Sequence, residues 1–301
     1  MTIKKLVKLF VPPVVFKAWN RIRRKKEYGA SLQPSPLPRI EHRSDKMVLI
    51  GNGPSLLRSV ELYKDEILKH DRIAVNFFAS SDLYEQLRPK IYVFADPAFF
   101  DVPENQKESV EALFENIAQK TTWEMRIIIP YTAKDSEIVN TLKNNRNISV
   151  DCYSNTNQAI GAMSKFEAWD RNLLCPPSQN VLNVALYLSL FWEYKETYLI
   201  GADSSFLEDL RVDQETNELF TLDSHFYRNK DIQKDKGFYD QKERGRSRSD
   251  WKLHELIYAH GRMFEYFSDL KEYADYKRLK VYNASEYSWI NVFERKKLKG
   301  C

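Results

Sequence analysis

The chain has 301 residues, 46 Lys and Arg against 42 Asp and Glu, and a formal charge of +4. Its 43% hydrophobic and 13% aromatic content is globular, which excludes disorder and collagen-like repeats. No apolar run reaches the roughly 20 residues of a spanning helix, which excludes a polytopic membrane protein.

Residues 1–28 hold nine cations (Lys4 to Lys26) and one acid, Glu27, interleaved with Ile, Leu, Val, Phe10, Phe16 and Trp19 and broken by Pro12-Pro13. Cations with interfacial aromatics suit an anionic bilayer surface, so this segment is expected to be an amphipathic, membrane-associating tail. It contains no small-residue cleavage site of a secretory signal. Residues 29–45, rich in Ser and Pro, read as a linker, and residues 46–301 as one α/β domain.

Short apolar runs then mark strands at 47–50, 72–76, 91–95, 125–129 and, more weakly, 148–150. Later runs at 197–201 and 279–282 complete the set. Helical segments include 55–69, a largely apolar stretch at 179–192, and 250–277, whose apolar side is expected from Trp251, Leu253, Leu256, Ile257, Met263, Phe264 and Tyr266. Strands alternating with helices predict a mostly parallel sheet covered on both faces. Residues 204–248 break this rhythm. They are polar, charged and aromatic, and read as an irregular lid.

Ligands of open α/β sheets bind at the carboxyl ends of the strands. There the chain carries Gly51-Asn52-Gly53-Pro54-Ser55, Asn76, Asp96 and Asp203. The glycines allow close approach of a ligand, and the helix start at Ser55 can hold an anion. Convergence of these groups points to a polar small-molecule site. Among five histidines, His225 lies in the lid, where histidine is a residue type suited to a general base, with Asp223 placed to orient it. His42 and His70 read as surface residues, and His254 and His260 as structural residues of the long helix. Arg211, Arg228, Arg244 and Arg246 of the lid are candidate phosphate partners. No DxD, HExxH or Cys/His cluster is present, so no metal site is expected. Cys152, Cys175 and Cys301 form no disulfide framework, and a reducing setting follows. Asn283-Ala-Ser285 matches a glycosylation sequon but reads as the loop after the last strand.

These residues resemble the bacterial sialyltransferases of glycosyltransferase family 42 and the related MptE-like (DUF115) group. The likeness runs through Ile50–Leu56, Asn76, Val93–Phe100, Tyr194–Asp203 and Ser224-His225-Phe226-Tyr227, in order over about residues 46–293. The resemblance implies a Rossmann-like (GT-A-like) fold lacking DxD. It also implies metal-independent, inverting transfer from a CMP-activated nonulosonic acid, such as sialic acid or a relative, to a cell-surface glycan. By the same resemblance, Ser178, Gln179, Asn180, Ser205 and Arg228 join the donor site. Departures are visible: the family's catalytic histidine falls near Asn229, its first phosphate tyrosine at Ser205, and its Asn before Pro at Asp96.

The expectation is therefore a glycosyltransferase at the inner face of the cytoplasmic membrane. His225 is its base, with His254 and His260 as alternatives. It takes a nucleotide-sugar donor and a glycan or lipid-linked acceptor, uses no cofactor and binds no nucleic acid; a homo-oligomer is allowed. Two rivals stand beside it: diphosphate transfer from ATP, as the MptE-like resemblance suggests, and a non-catalytic membrane-peripheral nucleotide-binding protein.

Overall fold

The computed structural model describes residues 37–298, apart from 156–163, 177–178, 209, 213, 216, 218, 222–224, 227–238 and 241–251. Its core is an eight-stranded, all-parallel sheet. The strands are β1 (Lys46–Ile50), β2 (Asp71–Val75), β3 (Ile91–Val93), β4 (Met125–Pro130), β5 (Ile148–Tyr153), β6 (Glu196–Ile200), β10 (Lys280–Asn283) and β11 (Glu294–Arg295), and the spatial order is β11-β10-β6-β1-β2-β3-β4-β5. Between β6 and β10, the short strands β7 (Arg211–Val212), β8 (Leu219–Thr221) and β9 (Tyr239–Asp240) form a separate antiparallel ribbon. The lid segment expected to be irregular therefore contains sheet. Strands of two and three residues are too short to show an alternating pattern.

Among the described residues seven α-helices cover the sheet: α1 (Leu56–Leu68), α2 (Leu83–Leu87), α3 (Lys107–Lys120), α4 (Glu137–Lys143), α5 (Lys165–Asp170), α6 (Val181–Phe191) and α7 (Leu253–Lys277). The two faces are read from alternate residues of each strand. Val48, Ile50, Ala74 and Ile127 pack with α1 to α4, whereas Met47, Leu49, Ile73 and Ile128 pack with α5 to α7. A parallel strand buried on both faces must be apolar throughout, and this is why these runs stand out in the sequence.

The layering follows from the direction of winding. From β1 to β5 the chain steps one way across the sheet, and right-handed crossovers put their helices on one face. It then returns to place β6 beside β1, with Lys46 opposite Glu196 and Ile50 opposite Ile200, and winds the other way. The gap between β1 and β6 is the topological switch point. α6 packs against β1, β2 and β3, and every residue from Leu182 to Leu190 is buried. The buried stripe of α7 includes Leu256, Met263, Phe267, Leu270 and Ala274; Leu253 and Ile257, expected on it, are exposed.

Residues 37–45 lie against the amino-terminal edge of the sheet. The His42 ring stacks on Tyr194 at 4.0 Å. Buried Asp71 accepts hydrogen bonds from the Arg43 amide at 2.9 Å and the Tyr194 hydroxyl at 2.8 Å. His70 is buried, not a surface residue, between Ser44 Oγ and Glu66, each 3.0 Å away. Among the described residues no helix is long and apolar enough to cross a membrane. The basic tail, residues 1–28, lies outside the described residues.

Candidate functional site

Backbone geometry builds the site first. Past their last paired residues, β1 and β6 stay together: Gly51 N–H donates to Ile200 O and Gly53 N–H to Gly201 O, both at 2.8 Å. A Cβ on Gly51 would lie 2.4 Å from the Gly201 carbonyl oxygen, and one on Gly53 would lie 2.4 Å from the Asp203 carboxyl. Gly201 itself has φ +59°. Gly51 is thus glycine because two backbones touch, and it does not line the cleft. Gly53 does line it. The sequence reading, in which both glycines admit a ligand, is corrected for Gly51.

Ser55 is corrected likewise. It precedes α1 but makes no side-chain cap bond to the helix. Instead its N–H donates to Asp203 Oδ2 at 2.9 Å and its hydroxyl to Oδ1 at 2.5 Å. The anion at the start of α1 is therefore the chain's own Asp203. Burial holds that carboxyl above the usual carboxylate range, opposed by the two Ser55 hydrogen bonds.

The carboxyl ends of the strands open into a cleft of about 990 Å³. Asn52, Pro54, Asn76, Asp96, Gln179, Asn180, Asp203, Ser205 and His225 all line it. Asn52 is held by Nδ2 donating to Val75 O at 3.0 Å. Asn76 has φ +48°, a left-handed conformation that Asn tolerates. Asp96 Oδ1 accepts from Ala98 N–H at 3.0 Å and so also caps a short 3-10 turn. Asn180 caps α6 through Leu182 N–H at 2.9 Å. His225 is positioned by its neighbour: Phe226 N–H donates to Asn52 O at 3.0 Å, and the Phe226 ring rests 6.0 Å from Phe78. Ser178 and the lid residues Arg228, Arg244 and Arg246 lie outside the described residues, as does the Arg211 side chain.

Five further lining residues are not among the side chains singled out at the ends of β1, β2, β3 and β6. His260, read from the sequence as structural with a role as base left open, lines the cleft, stacked on Phe206 at 5.2 Å; His254, the other alternative base, is exposed and lies elsewhere. Ser204, with φ +50°, is buried in the wall. Thr132, Ser136 and Asn155 follow β4 and β5, so the same strand-end rule applied to those strands would have found them.

Two properties decide what the cleft can bind. Asn52 Oδ1, Asn76 Oδ1, Ser136 Oγ and Ser204 Oγ are buried with no hydrogen-bond partner among the described residues. Buried oxygens of this kind are satisfied by a ligand that donates. Asp96, Asp101, Asp135 and Asp203 line the cleft, and no Lys or Arg does among the described residues. Among the described lining residues, His225 and His260 alone can offer positive charge. Neither described cysteine fits a nucleophile: burial pushes the Cys152 thiol up to about 11 and Cys175 well above its ordinary value. Asn283 is buried, its amide donating to Ser288 Oγ at 3.0 Å and Ile290 O at 2.8 Å, so the sequon is a structural corner. Among the described residues no group of three or more His, Cys, Asp or Glu is arranged to hold a metal.

No family model matches the chain, and no curated protein matches it. Among solved structures it is similar to the MAf glycosyltransferase from Magnetospirillum magneticum AMB-1, with a TM-score of 0.49 and 11% identity, over 96% of this chain and 42% of that one. The chain thus spans less than half the length of that protein.

Proposed function

We propose that the protein is a glycosyltransferase that takes a nucleotide-activated sugar, a CMP-linked nonulosonic acid by the sequence resemblance, and passes the sugar to a glycan. The observation that carries this reading is the row of buried, unpartnered side-chain oxygens in one cleft at the topological switch point. Ribose and sugar hydroxyls are donors in the number such a wall needs. The carboxylates turn the phosphate toward the histidines. ATP, with its larger charge, suits a wall of four carboxylates least, and this weighs against diphosphate transfer.

In the proposed reaction the acceptor hydroxyl oxygen attacks the anomeric carbon as its proton passes to His225. The bond from that carbon to the phosphate oxygen breaks, and the nucleotide leaves with the electron pair. The fixed wall supplies orientation.

Calorimetry with CMP, UDP, GDP and ATP, without and with Mg²⁺, tests the reading on the full chain. Selective CMP binding without Mg²⁺ is expected. His225→Ala should then slow CMP release from CMP-N-acetylneuraminate in the presence of acceptor by about 10²-fold, the scale of a lost general base, with CMP affinity unchanged. Preference for ATP with Mg²⁺ would overturn it.

A further inference from the structure

Beside the cleft, on its β6–β10 flank, two large aromatic rings are held out toward solvent. Tyr287 is 45% exposed and Trp289 is 38% exposed. Their polar edges are engaged. Trp289 Nε1 donates to Glu208 Oε1 at 3.0 Å and to the Tyr287 oxygen at 2.9 Å, and the Tyr287 hydroxyl donates to Glu208. What the pair offers outward is ring carbon.

The mount is rigid. Trp289 N–H donates to Asp203 O at 2.8 Å. Ser288 Oγ donates to Ala202 O at 2.6 Å, while Ser285 Oγ accepts from Ala202 N–H at 3.0 Å. The loop 284–290 is thus stapled to the end of β6. It is also continuous with the cleft: Asp203, Ser204, Ser205 and Phe206, from the segment that leads to Glu208, all line it. Rings fixed before binding lose little freedom when a ligand arrives.

We infer that Tyr287 and Trp289, oriented by Glu208, form the shelf on which a neutral pyranose ring of the acceptor glycan lies, one step outside the donor cleft. This rests on the glycosyltransferase reading. A pyranose presents an apolar C–H face that matches an aromatic ring and hydroxyls at its rim that stay hydrated. A rigidly held, half-exposed aromatic pair suits that ligand. Glu208 acts as a positioning residue: it touches the rings, and the rings touch the sugar.

Saturation-transfer NMR on the full chain with lactose, N-acetyllactosamine and maltose tests the shelf, with CMP calorimetry run alongside. Saturation of pyranose ring protons is expected for at least one sugar. Trp289→Leu should weaken that binding about three- to tenfold, the scale of one aromatic contact, with CMP affinity unchanged. Tyr287→Leu provides a second variant should Trp289→Leu lower stability. Glu208→Gln keeps an acceptor for both rings and should preserve binding, whereas Glu208→Ala should not. The shelf is overturned if the wild-type chain saturates none of the sugars, or if both ring variants bind them unchanged. It is also overturned if Trp289→Leu instead releases the protein from anionic vesicles, which would make the pair an interfacial anchor. If sugars bind through Trp289 but no nucleotide binds, the shelf stands and the glycosyltransferase reading fails.

Discussion

At the residue scale, Asp203 decides how the start of α1 is used. In many nucleotide-binding sheets the first helix offers its N–H groups to a phosphate. Here a carboxylate 148 positions away in sequence takes that place through both oxygens, on the Ser55 N–H and hydroxyl. A ligand phosphate there would face a like charge. The carboxyl also titrates above its ordinary range because it is buried. A carboxyl whose native pKa is raised contributes stability that is full below the unfolded value of about 4 and is lost as pH rises through the native value. At neutral pH the charge is therefore a cost. Asp203→Asn keeps an oxygen for the Ser55 N–H and places an amide against its hydroxyl. Its melting temperature should exceed that of the parent at pH 7, with the gap closing as the pH falls toward 4. Thermal scans across that range check it. A lower melting temperature at pH 7 would mean that the charge on the helix dipole outweighs burial.

At the element scale, α6 shows the same tension between packing and polarity. It lies across β1, β2 and β3 with nine consecutive buried residues. One of them, Asn183, is fully buried, and neither amide atom has a hydrogen-bond partner among the described residues. An unsatisfied buried amide costs about 1–3 kcal/mol, and an apolar group of similar shape removes that cost. Asn183→Leu should raise stability by about 1–2 kcal/mol, read as a rise of roughly 2–8 °C in Tm for a domain of this size. A fall would show that this amide is satisfied by a ligand or by a segment outside the described residues.

The elements that could be read ahead of the structure share a cause. Strands buried on both faces are largely apolar runs, so β1 to β4, β6 and β10 were visible within one or two residues, whereas β5, a half-buried edge strand, was read only in part and continues to Tyr153. The two-residue strands β7, β9 and β11 carry no such signal. Of the site, the strand-end side chains Asn52, Asn76, Asp96 and Asp203 were legible because the chain's alternation locates strand ends. The pairing of Ser55 with Asp203 was not, since it depends on β6 returning beside β1. Nor was the entry of His260, which depends on how α7 is rotated about its axis.

At the scale of the whole molecule, charge is divided between two regions. The first 28 residues hold nine of the 46 basic residues and one of the 42 acidic ones, so the remaining chain carries four more acids than bases. The cleft sharpens that bias with four aspartates. We propose that the tail carries the membrane affinity and the acidic body adds none. Each cation near an anionic headgroup layer contributes about 1 kcal/mol. Replacing Arg23, Arg24, Lys25 and Lys26 together by Gln in the full chain should then weaken partition to phosphatidylglycerol vesicles by about 10³-fold, the equivalent of about 4 kcal/mol. Binding by the parent should also fall steeply with added salt, since the interaction is screened within a Debye length. Vesicle sedimentation at two salt concentrations reads both effects. The same variant should keep its CMP affinity, because the described lining of the cleft runs from Asn52 to Met263 and includes none of the four replaced residues. Unchanged vesicle binding would assign the affinity to the body instead, and the exposed rings of Tyr287 and Trp289 would then be the first surface to vary.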